Sequence, residues 1–154
     1  MTGKELERLM SEAAIATTGR NCVVLLEEPS LDYASAETTR THTKAYIRLN
    51  PAGNYEALYE SFCHEISHVL LDWNAIKPSN EHRRPSRSET KSPMVRKIIR
   101  ELPFEKRAER VGKLIADFGR TKSYDVYSSD SDPAICGYLK GLIANPKLKG
   151  LVVK

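Results

Sequence analysis

Residues 54–73 of this 154-residue chain read NYEALYESFCHEISHVLLDW, and their spacing predicts one amphipathic helix from about Tyr55 to Trp73. Apolar side chains recur at intervals of three or four and define a core-facing stripe: Leu58, Phe62, Ile66, Val69 and Trp73. Asn54 precedes the helix and is a favourable N-cap, because its side chain can accept a hydrogen bond from an unpaired backbone N–H. We expect the rest of the chain to pack around this helix.

The same helix contains the motif H-E-x-x-H at residues 64–68. Residues four apart lie one turn above each other on a helix, so His64 and His68 can direct two imidazole nitrogens at one point. Glu65 is one position further round and can hold a water at that point. Zinc hydrolases use two neutral histidines as ligands and such a glutamate as general base. The alternative is coincidence, in which both histidines are ordinary helix residues.

The pattern of the whole chain predicts a single α+β domain over residues 1–154. Helices are expected at 3–18, 55–73, 94–102, 104–118 and 134–144. Strands are expected at 22–26 and 43–49, with a further terminal strand at 148–154. The alternation in 43–49 predicts a half-exposed strand, and the polar segment from Glu27 to Thr41 a loop or irregular edge. Gly119 is expected to end the fourth helix.

The composition is that of a soluble globular protein, and the cysteine pattern predicts a cytoplasmic location. Its 40% hydrophobic and 29% charged content is ordinary for that class. The N-terminus lacks the apolar region of a signal peptide, and no apolar run reaches membrane-spanning length, so we expect no membrane partner. The three cysteines lack C-x-x-C spacing and are expected to be reduced. Cys63 precedes His64 but points about 100° away on the helix, which predicts a packed thiol rather than a ligand.

The segment Lys77–Arg100 is strongly basic, with eight Lys or Arg against two acids and therefore a net charge of +6. Its first part, 77–93, is rich in Ser and Pro and has no periodicity, which predicts a long, mobile loop. A basic run of this kind can bind nucleic acid or another anionic partner. The alternative is an ordinary solvated loop.

A catalytic zinc ion needs a third protein ligand, and four later glutamates are candidates: Glu89, Glu101, Glu105 and Glu109. A third histidine six residues after His68 is excluded, because Asn74 stands there. Glu89 lies in the Ser/Pro/Arg-rich stretch, which is unsuited to fixing a ligand. Glu101 has no small residues beside it.

The remaining two glutamates belong to a line beside the apolar face of the 104–118 helix: Glu105, Glu109, Gly112 and Ala116. Small residues allow a second helix to approach closely, so the carboxylates would face that neighbour. Glu109 is the preferred ligand, and Glu105 is either the ligand itself or an acceptor for a histidine N–H. The ordinary alternatives are a helix-dipole interaction for Glu105 and a pair with Lys113 for Glu109.

Residues 47–71 (IRLNPAGNYEALYESFCHEISHVLL), 104–115 (FEKRAERVGKLI) and 124–129 (YDVYSS) resemble the small gluzincin-type metallopeptidases. The nearest groups are the ImmA/IrrE family and the peptidase domain of ArdC-type antirestriction proteins. The resemblance implies a zincin-like domain, in which the HExxH helix and a Glu-bearing helix pack beside a small mixed sheet. It also implies zinc on His64, His68 and Glu109, with Glu65 as base. Members of these groups cleave transcriptional repressors or counter host restriction for mobile elements.

The predicted function is therefore peptide-bond hydrolysis by a zinc-bound water, acting on a protein substrate such as a DNA-binding repressor. The oxyanion needs a further donor, for which Tyr124, Tyr127 and His82 are candidates. The alternative is an antirestriction or nucleic-acid-interacting protein with a structural or vestigial zinc site, in which Lys77–Arg100 binds nucleic acid. The sequence does not indicate an oligomeric state.

Overall fold

The computed structural model describes residues 2–27, 36–78, 101–122 and 131–144. These residues have an α+β architecture, as predicted, and their elements in chain order are α1 Gly3–Thr18, β1 Asn21–Leu25, β2 Ala36–Arg40, β3 Lys44–Leu49, α2 Tyr55–Leu71, α3 Pro103–Lys122 and α4 Ser131–Ala144. The strand predicted at 148–154 and most of the helix predicted at 94–102 lie outside the described residues.

The three described strands form one mixed sheet in the order β1-β3-β2. Strand β1 is parallel to β3, and β2 is antiparallel to it. Strand β2 falls within the segment predicted as a loop or irregular edge. Its sequence, AETTR, has no apolar alternation, so its structure comes from pairing with β3 rather than from a local pattern.

Strand β3 is more buried than its alternation predicted. Ala45, Ile47 and Leu49 enter the core as expected, but Arg48 on the opposite face is also only 1% exposed. The guanidinium of Arg48 lies 2.7 Å from Glu27 and 3.3 Å from Glu37. These two carboxylates, both remote in sequence, compensate the burial of its charge.

Helix α2 is the central element of the described fold, as predicted. The Asn54 side chain accepts a hydrogen bond from the backbone N–H of Ala57 at 2.7 Å, which caps its N-terminus. Four residues of its predicted stripe, Leu58, Phe62, Ile66 and Val69, are buried in a core shared with α1, the sheet, α3 and α4. The helix ends at Leu71 rather than at the predicted Trp73, which is only partly buried. Cys63 is fully buried, which raises the pKa of its thiol and agrees with a packed cysteine. All three cysteines are free.

Helices α2 and α3 cross at unusually small residues. A Cβ at Gly112 would lie 2.8 Å from the Cα of His64, so only glycine allows this approach. Gly119 has a similar role, because a Cβ there would overlap the hydroxyl of Tyr59. The prediction that Gly119 ends the helix is wrong, since α3 continues to Lys122. This glycine serves a contact between helices rather than a helix terminus.

Within the described ranges, no helix combines the length and apolar character needed to cross a lipid bilayer.

Candidate metal centre

Three side chains from α2 and α3 converge on one point. The Nε2 atoms of His64 and His68 lie 3.2 Å apart. The carboxylate of Glu105, from the first turn of α3, places Oε2 3.0 Å from His64 Nε2 and Oε1 3.2 Å from His68 Nε2. All three groups keep some solvent exposure, with side chains 30%, 10% and 24% exposed respectively. The cluster is therefore partly accessible to solvent.

The spacing of these atoms fits a small tetrahedral cation. Zinc–nitrogen and zinc–oxygen bonds of about 2.0–2.1 Å imply neighbouring ligand atoms about 3.3 Å apart in a tetrahedron. The two nitrogens lie 3.2 Å apart, and each has a different oxygen of the Glu105 carboxylate at 3.0 or 3.2 Å. Two imidazole nitrogens and a carboxylate are also the donor set that zinc favours. His64, His68 and Glu105 are thus suited to hold such an ion.

The structure reverses the order of preference between the two glutamates of α3. Glu105 contacts both imidazoles, whereas Glu109 is exposed. Ala108 is fully buried and faces α2. Glu105 lies about 60° round the helix from Ala108, and Glu109 lies about 100° from Ala108 in the same direction. Along the helix axis, Glu109 is one turn beyond Glu105. The line of carboxylates and small residues places both glutamates on the same side of Ala108, so it could not show which of the two, one turn apart along α3, lies level with the histidines.

Each carboxylate oxygen of Glu105 faces the Nε2 atom of one histidine. A residue that binds a metal together with the two histidines would need this orientation. Burial would raise its pKa, but hydrogen bonds from His64 and His68 and their charges outweigh that effect and lower the pKa to about 2. Glu101 is exposed and pairs with Lys106 at 2.8 Å, away from the cluster. Glu89 lies outside the described residues.

Glu65 is the second carboxylate at the cluster, and it differs from Glu105 in its surroundings. A carboxylate oxygen of Glu65 and one nitrogen of each histidine lie within 4.8 Å of one another, so Glu65 could in principle also reach a cation. Its side chain is buried, which raises its pKa, and its Oε1 accepts a hydrogen bond from the hydroxyl of Thr38 on β2 at 3.3 Å. The contacts of 3.0–3.2 Å to the imidazole nitrogens belong to Glu105.

Asp72 sets the orientation of the second imidazole. Its Oδ2 lies 2.8 Å from Nδ1 of His68, and a carboxylate there requires the proton on Nδ1, which leaves Nε2 facing the cluster. Burial opposes protonation of His68, but its hydrogen bond to Glu105, the charge of Glu65 and its hydrogen bond to Asp72 raise its pKa to about 9. In the absence of a metal, a proton would occupy the same nitrogen.

Ser67 explains why the two helices come close enough for these contacts. Its hydroxyl is fully buried and lies 3.0 Å from the backbone carbonyl of Ala108 and 2.5 Å from that of His64, so it can donate to either. A larger side chain between the two histidines would separate α2 from α3. The motif therefore needs a small residue at this position as well as its histidines.

Three residues of the site were not predicted from the sequence: Thr38, Asp72 and Arg107. Asp72 follows His68 by four positions, and this spacing is a local signal for a contact on a helix. Arg107, which pairs with Asp72, and Thr38 carry no such signal, because their partners are distant in sequence.

Comparison of the chain with models of known protein families, with curated protein sequences and with solved structures finds no match. Functional inference therefore rests on the residues and the geometry of the site. The predicted oxyanion donors Tyr124, Tyr127 and His82 lie outside the described residues, as does all but the start of the basic segment at 77–100. Those roles stay predictions.

Proposed function

We propose that this protein is a zinc-dependent hydrolase that cleaves peptide bonds, with His64, His68 and Glu105 as metal ligands and Glu65 as general base. The single observation that carries this proposal is the approach of Glu105 to both imidazoles of the HExxH motif, with ligand atoms 3.0–3.2 Å apart. A local motif alone provides two ligands. The third comes from a different helix and meets the spacing that zinc needs.

Bound zinc would supply Lewis acidity, which lowers the pKa of a water and polarises the scissile carbonyl. Glu65 lies beside the ligands and accepts the proton of the attacking water, then transfers it to the leaving amine. The hydroxyl of Thr38 holds one oxygen of Glu65, so the other oxygen is the one available for the water. Asp72 keeps Nε2 of His68 available for the metal through its bond to Nδ1.

The proposal extends to a zincin-like fold and to a regulatory protein as substrate. The packing of α2 against α3 and the contact of β2 with Glu65 support this part of the proposal. The resemblance of residues 47–71 and 104–115 to the ImmA/IrrE and ArdC-type peptidases favours a cytoplasmic substrate such as a repressor. The identity of the third ligand differs from that resemblance, since the geometry favours Glu105 over Glu109.

The test combines metal analysis with a peptidase assay on a mixed peptide library, for wild type and four variants. Zinc should be near-stoichiometric in wild type and in Glu65→Gln, and it should be lost in His64→Ala and Glu105→Gln. Hydrolysis should fall by about 10²- to 10⁴-fold in Glu65→Gln, because a general base contributes about that much. Glu109→Gln is the matched control on α3 and should keep both zinc and activity.

Three results would count against separate parts of the proposal. Wild-type protein that binds no zinc when purified without chelator would exclude the metal site. Zinc-loaded protein whose peptide hydrolysis is unchanged by Glu65→Gln would exclude the assigned base. If Glu109→Gln loses zinc while Glu105→Gln keeps it, the assignment of the third ligand is wrong.

A further inference from the structure

Asp72 connects the proposed metal ligand His68 to a second residue of α3. Its carboxylate uses one oxygen for each partner: Oδ2 lies 2.8 Å from His68 Nδ1, and Oδ1 forms an ion pair with Arg107. The Asp72 side chain is only 7% exposed, whereas that of Arg107 is 44% exposed. A buried carboxylate is therefore divided between a histidine on its own helix and an arginine on the neighbouring one.

The backbone of Asp72 is fixed as firmly as its side chain. Its N–H donates to the carbonyl of His68 at 2.8 Å and ends α2. Its own carbonyl accepts hydrogen bonds from the N–H groups of Ala75 and Ile76 at 2.9 and 3.1 Å. The carbonyl of Ile76 in turn accepts from Arg40 of β2 at 2.7 Å. The position of the carboxylate is thus set by the main chain, and its rotation by Arg107.

Glu105 and Arg107 occupy opposite flanks of the same contact. Ala108 packs against Ser67 of α2, and at 100° per residue Glu105 lies about 60° to one side of it and Arg107 about 100° to the other. Glu105 reaches the imidazoles directly, whereas Arg107 reaches His68 only through Asp72. The contact of Ala108 with Ser67 therefore fixes the positions of both Glu105 and Arg107 relative to α2.

We infer that Arg107 is a positioning residue for metal binding, which acts through Asp72 on the imidazole of His68; this inference rests on the proposed metal site. Arg107 holds the Asp72 carboxylate in the rotamer that accepts the Nδ1 proton of His68, and so keeps Nε2 aimed at the metal. Without the guanidinium, the carboxylate can turn toward water and His68 loses its fixed orientation. The ion pair is then part of the metal site rather than a solvent-exposed pair that only joins two helices.

The test is a zinc affinity measured by competition with a chromophoric chelator for wild type, Asp72→Asn, Arg107→Gln and the double variant. Loss of such a second-layer partner typically weakens metal binding about 10- to 100-fold. We expect Asp72→Asn to fall in that range and Arg107→Gln near its lower end. The double variant should bind zinc no more weakly than Asp72→Asn, because residues that act in series are not additive.

Two controls separate a positioning role from a structural one. Arg110→Gln makes the same charge change at an exposed position of α3 and should leave zinc affinity unchanged. Arg107→Lys keeps a cation within reach of Asp72 and should recover most of the affinity lost in Arg107→Gln. Affinities are compared at a temperature at which thermal unfolding shows every zinc-free variant to be folded.

Equal zinc affinities for wild type and Arg107→Gln would overturn this inference and leave the metal site intact. Effects of Asp72→Asn and Arg107→Gln that multiply in the double variant would also overturn it, because Arg107 would then act independently of Asp72. Wild-type protein without zinc affinity would overturn both this inference and the proposed function. Zinc binding with the expected pattern but no peptidase activity would support the inference and refute the proposed function.

Discussion

The two ends of the α2–α3 helix pair both carry charged side chains, but they balance those charges in different ways. The helices run antiparallel, since Glu56 at the start of α2 meets Arg120 late in α3, and His68 near the end of α2 meets Glu105 at the start of α3. At the Arg120 end, the guanidinium contacts the carboxylates of Glu56, Glu60 and Asp117. That end contains its own permanent cation.

The His68 end has no permanent cation facing the three converging atoms within the described residues. Two imidazole nitrogens lie 3.2 Å apart, and a carboxylate lies against both of them. Such an arrangement is stable only when a proton or a metal ion occupies the space between lone pairs. The Arg107 that does approach this end is engaged with Asp72 on the far side of His68. One end of the pair is thus neutralised by its own arginine, whereas the other has a place for a proton or for the metal ion proposed above.

The largest expected effect is a zinc-dependent gain in the free energy of unfolding, which should depend on the His68 end of the helix pair and not on the Arg120 end. At free zinc about 1,000-fold above its Kd, binding should stabilise the folded wild-type protein by about 4 kcal/mol. Glu105→Gln removes the proposed third ligand and should abolish this stabilisation. Arg120→Gln disturbs only the other end and should retain it. Chemical unfolding with and without zinc measures both, and zinc-dependent stabilisation that survives Glu105→Gln would remove the distinction between the ends.

Two glycine substitutions in α3 should cause losses of stability of intermediate size, and they test the two ends of the helix pair separately. In Gly112→Ala the new Cβ meets the backbone of His64, which cannot move aside, whereas in Gly119→Ala it meets the hydroxyl of Tyr59 and the carbonyl of Tyr138. Overpacking of this kind costs about 1–3 kcal/mol, and the helix propensity of alanine offsets roughly 1 kcal/mol of it. We expect both variants to be less stable in unfolding experiments, with the larger loss for Gly112→Ala.

Zinc affinity separates the same two variants. Gly112→Ala pushes His64 away from α3 and from Glu105, so its zinc affinity should fall. Gly119→Ala should bind zinc as wild type does, once its folded fraction is taken into account. If both variants lost zinc affinity equally, a change at the Arg120 end would alter metal binding at the His68 end. The two ends would then not be independent.

The local features of this comparison could be predicted from the sequence, and the non-local ones could not. The apolar spacing of α2 predicted the helix, and the HExxH spacing predicted that His64 and His68 lie together, because both depend only on helical periodicity. Strand β2 was missed because its polar sequence acquires structure from pairing with β3. The burial of Arg48 was missed because Glu27 and Glu37, which pair with it, are remote in sequence.

The choice between Glu105 and Glu109 shows where sequence patterns stop being informative. Both residues lie beside small side chains on one helix, and a rotation of about 40° relates their directions. Only the way α3 rests on α2, with Ala108 against Ser67 and Gly112 against His64, decides which one faces the imidazoles. Gly119 was misread for a related reason: a glycine late in a helix predicts its end, but here it accommodates Tyr59.

The smallest expected effect comes from two hydroxyls that make the same contact at opposite ends. Tyr59 donates to the carbonyl of Ala116 at 2.9 Å, and Ser67 lies 3.0 Å from the carbonyl of Ala108. A buried hydrogen bond contributes about 0.5–1.5 kcal/mol, so Tyr59→Phe and Ser67→Ala should each reduce the free energy of unfolding by an amount in that range. The cost of Ser67→Ala should be the lower one, because alanine is the better helix former.

Zinc affinity should distinguish these two variants, although their losses of stability are similar. Ser67 holds the segment between the two histidines against α3, so its removal loosens the approach of Glu105 and should weaken zinc binding by a few-fold. Tyr59 is two turns away from that contact, and Tyr59→Phe should leave zinc affinity unchanged. A chelator competition on the two proteins, compared with their urea unfolding curves, measures both quantities. Weaker zinc binding in Tyr59→Phe than in Ser67→Ala would mean that the metal site depends on the whole helix interface rather than on its His68 end.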